Sequence, residues 1–431
     1  MDATIAFLVF GVLVVLLLIG VPIAFAIGGA VMSVVLYWDK ISLTFNFQQM
    51  YNGVDSFTLL ALPLFMWMGS LMDEAGLIDD LLLVCRVCCG RIRGSLAQAN
   101  ILGSMVFAGI SGSATADTAA IGGTLIPAMI KEGYDPDFSV AVTASSSVIG
   151  PIIPPSIGMV LYGSIMGISV SALFFGGMVP GILLGVGLMI VTAYYSHKRK
   201  YPKEERRYSP KEIVHAFART LPAIIMMVIL LGGLLTGVCT PTEISGIAVV
   251  YVLLVGVLYY RSLTPKVILR TLLDSMAMAG GVLAITSIST PLGRIVALAN
   301  IPAMLGGLIS SIAPNRFVVL LLINLFMLFM GMIMESNANL LIFAPIFAPI
   351  AISFGVNPVH FGVMFVLNVI IGLATPPFGV CMFMAADIAK IPIERAMKAM
   401  MPFVGVEILV LTLVTYFEPL VTFVPKLFGL M

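Results

Sequence analysis

The chain has 431 residues, 60% of them hydrophobic and 10% charged, with a mean hydropathy of +1.12. A water-soluble domain carries roughly 25% charged residues to keep a solvated surface, so a soluble fold is excluded and the bilayer is the expected solvent. The 22 Lys+Arg against 21 Asp+Glu leave a net charge of +1, which excludes the basic stripe that nucleic-acid binding requires.

A helix needs about 20 apolar residues to cross the hydrocarbon core. That ruler predicts ten crossings, near residues 4–20, 22–38, 57–76, 137–165, 172–196, 218–238, 243–260, 272–290, 358–386 and 401–424. The first run starts at Ile5 without a basic leader or a small-residue cleavage site, and reads as a membrane helix rather than a removed signal. Residues 79–93 mix Leu and Val with Arg86, Arg91 and Arg93, as residues 261–274 do to a lesser degree, and both are expected to lie in the membrane interface. Cys85-x-x-Cys88 has no second pair or spaced histidines to complete a metal or redox motif, so the five cysteines read as small buried hydrophobes.

Two further apolar stretches, 96–133 and 318–355, are interrupted by small polar clusters, Ser111 to Thr118 in one and Glu335 to Asn339 in the other. Each half is expected to be shorter than a crossing, which predicts two re-entrant helical hairpins with polar tips inside the membrane. Shifting the chain by 222 residues lays the halves over one another: Gly109 on Gly331, Pro127 on Pro349, Asp135-Pro136 on Asn357-Pro358, Gly150 on Gly372, and Pro154-Pro155 on Pro376-Pro377. Alternating crossings place 18 of the 22 basic residues on the cytoplasmic side and leave Lys40, Arg294, Arg316 and Lys426 outside, as the positive-inside rule demands. The hairpins then enter from opposite faces, so the repeat is inverted, and both termini face outward.

The fold class is an all-α polytopic membrane protein with about ten spanning helices and two re-entrant hairpins. Its expected divisions are scaffold helices (1–76), an arm, hairpin and broken helix (77–169), a sixth crossing with a basic loop (170–216), the second scaffold helices (217–290), the second arm, hairpin and broken helix (291–390) and a C-terminal helix (391–431). Proline cannot donate to the helix ladder, so each Pro-Pro pair should unwind its crossing and expose carbonyl oxygens, which persist in a membrane only where they line a cavity or meet a ligand. With the hydroxyls and amides of the tips they supply hard oxygen donors suited to Na⁺, and helix N-termini suit a carboxylate. Asp117, Glu335, Glu243 and Glu407 are acids in apolar surroundings and functional candidates on that ground, although Thr240 and Glu243 also fit an ordinary helix cap and Glu407 a pairing with a neighbouring helix or subunit.

The run Gly109-Ile-Ser-Gly-Ser-Ala-Thr-Ala-Asp-Thr118, the motifs Ile152-Ile-Pro-Pro-Ser156 and Ala374-Thr-Pro-Pro-Phe-Gly379, and Cys239-Thr-Pro-Thr-Glu243 resemble the large membrane subunit of tripartite ATP-independent periplasmic (TRAP) transporters. The resemblance covers essentially the whole chain. It implies a Na⁺-driven secondary transporter of the bacterial inner membrane, of the elevator type, that imports an organic acid such as sialic acid, a C4-dicarboxylate or a related sugar acid. It also implies two partners, a small four-helix membrane subunit and a periplasmic substrate-binding protein. By position Ser111, Ser113, Thr115 and Gly150 belong to a first Na⁺ site, and Glu335, Ser336, Asn337, Asn339, Gly372 and Thr375 to a second. Asp117, Ser145, Ser147, Pro154 and Pro376 stand between them toward substrate. Whether Glu335 serves Na⁺ or a proton stays open, as does a stand-alone Na⁺/dicarboxylate carrier of the same superfamily.

Overall fold

The computed structural model describes residues 2–38, 41–203, 209–312 and 315–431. The first half opens with α1 (Asp2–Leu18) and α2 (Ile23–Tyr37). Then α3 (Leu43–Val54), capped by the Ser42 hydroxyl, leads through a short 3-10 turn (Phe57–Leu60) into α4 (Ala61–Ala75), with a 53° bend between them. Gly76, at φ +83°, ends α4 in the left-handed conformation that glycine adopts without a Cβ penalty and releases α5 (Leu77–Cys89). Hairpin 1 is α6 (Ser95–Ser111) and α7 (Ala114–Lys131). The broken helix follows as α8 (Pro136–Ser146) and α9 (Ile157–Met166), and then α10 (Val170–Lys198).

The second half runs α11 (Pro210–Leu235), α12 (Pro241–Leu254) with a wider π-type turn over Val255–Tyr260, α13 (Pro265–Leu298) and α14 (Ile301–Ile312). Hairpin 2 is α15 (Arg316–Ile333) and α16 (Ser336–Ser353); the second broken helix is α17 (Pro358–Ala374) and α18 (Val380–Ala389), and α19 (Ile393–Tyr416) and α20 (Pro419–Leu427) close the chain. The 222-residue shift carries the start of α7 onto α16 and of α8 onto α17 residue for residue, and of α6, α9 and α10 onto α15, α18 and α19 within one residue. It also carries α3 and α4 together onto α13, so a stretch that bends at Asp55–Ser56 in one repeat is a single continuous 34-residue helix in the other.

Several expectations are corrected. Residues 265–274 are the first turns of α13, not a separate interfacial helix, and the division set at 290/291 falls inside α13. The hairpin halves are 17 and 18 residues in α6 and α7 and 18 each in α15 and α16, about 27 Å for the longer ones at 1.5 Å per residue. Among the described residues seven helices are long and apolar enough to span a membrane; α15 and α16 are two of them and α6 and α7 are not, so the expected shortness fails for hairpin 2 alone. α17 is buried around its whole circumference from Val359 to Ala374, the pattern of a helix enclosed by others, with α15, α16, α19 and α10 against it.

Polar contacts bolt the arm α5 to the second-half helices. The Asp80 side chain, 4% exposed, meets Arg219 of α11 at 2.9 Å and accepts from the Tyr260 hydroxyl at 2.8 Å, while the Thr220 hydroxyl donates to the Asp80 carbonyl at 2.8 Å. Glu74 pairs with Arg270 just before the arm. Burial pushes the Cys85 and Cys89 thiols of α5 up to about 12, so these thiols stay protonated and unreactive at neutral pH.

Between α7 and α8, Asp135 accepts from the Tyr201 hydroxyl at 2.7 Å and from Arg199 Nη1 at 2.9 Å. Burial raises its carboxyl, but the hydrogen bonds from Tyr201 and Arg199 and the charges of Arg199 and Arg395 outweigh it and hold Asp135 below its ordinary 3.8. A depressed carboxylate stabilises the fold above its unfolded value and ceases to do so as pH falls through the folded one. Asp135→Asn is accordingly expected to lower the melting midpoint in detergent at pH 7, with the gap to the parent closing as pH drops below 3.8; a gap that persists there contradicts the ion-pair account.

Candidate functional site

The two tips meet in one cleft of about 90 Å³. The Ser113 hydroxyl caps α7 by accepting from the Ala116 amide, and at the position 222 residues on, the Glu335 carboxylate caps α16 by accepting from the Asn337 and Ala338 amides at 2.9 and 3.1 Å. The other Glu335 oxygen accepts from the Ser336 hydroxyl and the Asn337 side-chain amide. Its departure from serine is thus a stronger cap at the same place in the repeat. The two Pro-Pro bonds, Pro154-Pro155 and Pro376-Pro377, are both cis.

The cleft is lined by the first residues of four helices: Ala114 and Thr115 of α7, Ile157 and Gly158 of α9, Ser336 and Asn337 of α16, and Val380 of α18. Each hairpin tip and each unwound crossing thereby brings the start of one helix to the cleft lining. Every such end carries about half a positive charge from the aligned peptide dipoles, and part of its N–H set is already met by the caps. Ser156 caps α9 through the Met159 amide, whereas Gly379 gives α18 no side-chain cap. Helix N-termini favour bound anions, and among the described residues Glu335, which caps α16, is the one charged residue in the lining.

Of the residues expected in the two ion sites, Ser113, Thr115, Glu335, Ser336 and Asn337 line this cleft; the Ser111 side chain lies outside the described residues. Gly150, Gly372, Asn339 and Thr375 stand behind it. Asn339 donates to the Met330 and Met334 carbonyls and closes hairpin 2, while its Oδ1 is buried with no partner. Thr375 donates to Ile371 O at the end of α17. Gly372 lies against the backbone of Gly331. Among the residues expected toward substrate, none lines the cleft: Ser147 donates to Thr143 O, Ser145 faces the Met400 sulfur, Pro154 is buried and Pro376 half-buried at the breaks. Asp117 is fully buried beside the hydroxyls of Ser104 and Ser147, which also reach Ser146 and the Thr143 carbonyl. Glu407, in α19, is likewise fully buried with both oxygens unpartnered. Glu243 forms a reciprocal capping box with Thr240.

Sequence reasoning passed over Pro151, Ile157, Gly158 and Val380. A cap signal was present at Ser156, but that α9 and α18 both start at the cleft depends on how the breaks fold back. The side chains offered to a cation are hydroxyls, a carboxylate and an amide oxygen, a hard-oxygen set that fits Na⁺ and not a thiolate- or imidazole-seeking metal. Among the described residues no three His, Cys, Asp or Glu side chains gather as a metal cluster.

Comparison with known proteins bears on the same chain. Residues 10–420 match the family model described as the tripartite ATP-independent periplasmic transporter, DctM component. The sialic acid TRAP transporter large permease protein SiaM of Vibrio cholerae is 36% identical over 96% of each chain, and the C4-dicarboxylate TRAP transporter large permease protein DctM of Pseudomonas aeruginosa 33% identical over 89% of each. An uncharacterized protein, YgiK of Salmonella typhimurium, is 39% identical over 97% of each. Among solved structures the chain is similar to the Alcanivorax borkumensis YdaH transporter, with a TM-score of 0.64 and 14% identity over 88% of each chain, a likeness of fold alone.

Proposed function

Because the chain belongs to the DctM component family of tripartite ATP-independent periplasmic transporters, it is a multi-pass membrane transporter subunit and not an enzyme, and we propose that it imports an organic acid driven by a Na⁺ gradient. The observation that carries the reading is the meeting of four helix N-termini at one cleft, an arrangement that favours a bound organic anion. The relatives named for sialic acid, C4-dicarboxylate and 2,3-diketo-L-gulonate transport are all transporters of organic acids. In this reading a periplasmic binding protein delivers the acid, a small membrane subunit braces the permease in the bacterial inner membrane, and the basic ends of the helices face the cytoplasm with both termini outside.

Na⁺ would be held by Ser113 and Thr115 on one side of the cleft and by Glu335, Ser336 and Asn337 on the other, and when bound it supplies the positive charge that balances an incoming carboxylate. The chain's own residues do the rest: the capped tips keep their amides aimed at the cleft, and the close packing of α17 excludes water from behind it. An elevator motion of the hairpins and broken helices against the scaffold helices of each repeat fits an inverted repeat, since exchanging the conformations of related halves yields inward and outward states. That motion must break the Ser56–Ser164 hydroxyl contact at 3.3 Å, which ties the scaffold to the end of α9.

Uptake into proteoliposomes holding the permease with its small subunit, tested with sialic acid, succinate and 2,3-diketo-L-gulonate, checks this. The expected result is uptake of one of them that needs both the binding protein and a Na⁺ gradient. Uptake without any binding protein would favour the stand-alone carrier, and undiminished uptake with K⁺ in place of Na⁺ removes the coupling ion. Asn337→Ala is expected to raise the Na⁺ concentration for half-maximal uptake roughly tenfold, about 1.4 kcal/mol for one lost oxygen contact to a charge, while the complex still assembles.

A further inference from the structure

A second cavity, larger than the cleft between the tips, lies on two of the same helices. About 420 Å³ opens between α3 and α13 on one side and α9 and α16 on the other, lined by Gln49, Asn52, Ser164, Ser289, Thr290 and Arg294 among others. Pockets of 300–1,000 Å³ with a few convergent polar groups are the usual size for a small ligand. Among the described residues, Arg294 is the one charged residue in this lining and no carboxylate joins it. The Ser289 hydroxyl is buried and has no hydrogen-bond partner, and an unpaired buried hydroxyl costs about 1–3 kcal/mol unless something meets it. Arg294 stands four residues before the end of α13, outside its last turn, where the helix dipole has already weakened, so charge compensation does not account for it.

The cavity's place follows from helix register. An ideal Cβ on Gly293 of α13 would lie 3.5 Å from the Pro345 ring of α16, and Pro345 is eight residues beyond Asn337 of the cleft, about 12 Å along the helix. Ser164 stands six residues beyond Gly158 on α9, about 9 Å in the same sense. Both helices lead from the tips toward the side that the distribution of basic residues makes periplasmic. We propose that this cavity is a second anion site, a port in which Arg294, with the hydroxyl of Ser289 and the amides of Gln49 and Asn52, holds the carboxylate of an organic acid before it reaches the cleft between the tips. The inference rests on the organic-acid reading above for the identity of the ligand, and on the cavity alone for its existence. Because the walls come from both sides of the moving boundary, the port exists only in the arrangement seen here and is dismantled as the tips move.

The test uses the assembled permease complex with Gln49→Cys in a background where Cys88 and Cys239 are serine, labelled by a membrane-impermeant methanethiosulfonate reagent added from the periplasmic side. Sialic acid, succinate and 2,3-diketo-L-gulonate are the probes, at constant ionic strength. At least one is expected to slow labelling about fivefold by occupancy, in Na⁺-free buffer, with the protection lost in Arg294→Gln and kept in Arg294→Lys. No protection by any acid, protection that survives Arg294→Gln, or protection that requires Na⁺ overturns the port. The uptake assay separates the two readings: uptake without protection defeats the port alone, and protection without uptake leaves the port standing and defeats the transport reading.

Discussion

Gly372→Ala is expected to abolish uptake and to destabilise the protein by about 3 kcal/mol, while Gly150→Ala, at the equivalent position of the other repeat, costs less than about 1 kcal/mol. A Cβ at position 372 would stand 2.5 Å from both Cα and the carbonyl carbon of Gly331, and one at 331 would stand 2.9 Å from Val369 O and 3.1 Å from the Gly372 Cα. These are main-chain atoms of α15 and α17. No rotamer change relieves them, so α15 must move away from α17 and carry the Glu335 tip out of the cleft. At Gly150 the nearest atom to a Cβ is Ser147 O at 3.3 Å and the backbone is right-handed helical, a conformation alanine adopts freely. Alanine in place of a helical glycine ordinarily stabilises by about 1 kcal/mol, so a large loss at 372 reverses the usual sign. Melting midpoints of the two variants in detergent, with Na⁺-dependent uptake alongside, decide it, and equal effects at both positions would refute the packing argument.

Removing Arg219 is expected to cost more than removing the charge of its partner Asp80, by about 2 kcal/mol against less than about 1. The two ends of the pair differ in exposure: the Asp80 side chain is 4% exposed and Arg219 is 51% exposed. Arg219→Ala strands a buried carboxylate with the Tyr260 hydroxyl as its remaining side-chain donor. Breaking a fully buried pair from one side costs about 3–5 kcal/mol, and the exposure of Arg219 scales that down through solvent screening. Asp80→Asn leaves a guanidinium that turns to water and a side chain that still accepts from Tyr260. Since these contacts bolt α5 to α11 and to the turn after α12, Arg219→Ala should also slow transport by loosening the arm that leads into hairpin 1. Comparing unfolding midpoints and initial uptake rates of both variants tests the asymmetry; a larger loss for Asp80→Asn would show that the phenol, not the ion pair, holds the arm.

Much of the fold was legible along the chain because each signal is local. Pro154-Pro155 and Pro376-Pro377 interrupt apolar runs wherever they are placed, and the shift that aligns them also aligns the starts of α7 with α16 and α8 with α17. The tips were legible as polar residues in apolar stretches, and the cap at Thr240–Glu243 from its spacing. The bend between α3 and α4 was not, because Asp55–Ser56 breaks a helix that the equivalent residues of α13 continue without interruption. Nor was the fate of Asp135. Its counterpart Asn357 caps its own helix by accepting from the Val359 and His360 amides, whereas Asp135 turns to Arg199 and Tyr201 more than 60 residues away.

The solvent, the repeat, the position of both Pro-Pro breaks and the tip residues Ser113, Thr115, Glu335, Ser336 and Asn337 could be read along the chain. Apolar length, proline chemistry and charge act within a few residues of chain, so a linear reading captures them. It took the packed fold to reveal that four helix starts share one cleft, that Gly372 touches Gly331 through bare backbone, that Asp117 and Glu407 are enclosed away from the cleft, and that Arg294 lines a cavity between α3, α9, α13 and α16. Each of these joins segments far apart in sequence, and which face of one helix meets which face of another is fixed by packing the whole bundle, a constraint that no single stretch of residues carries.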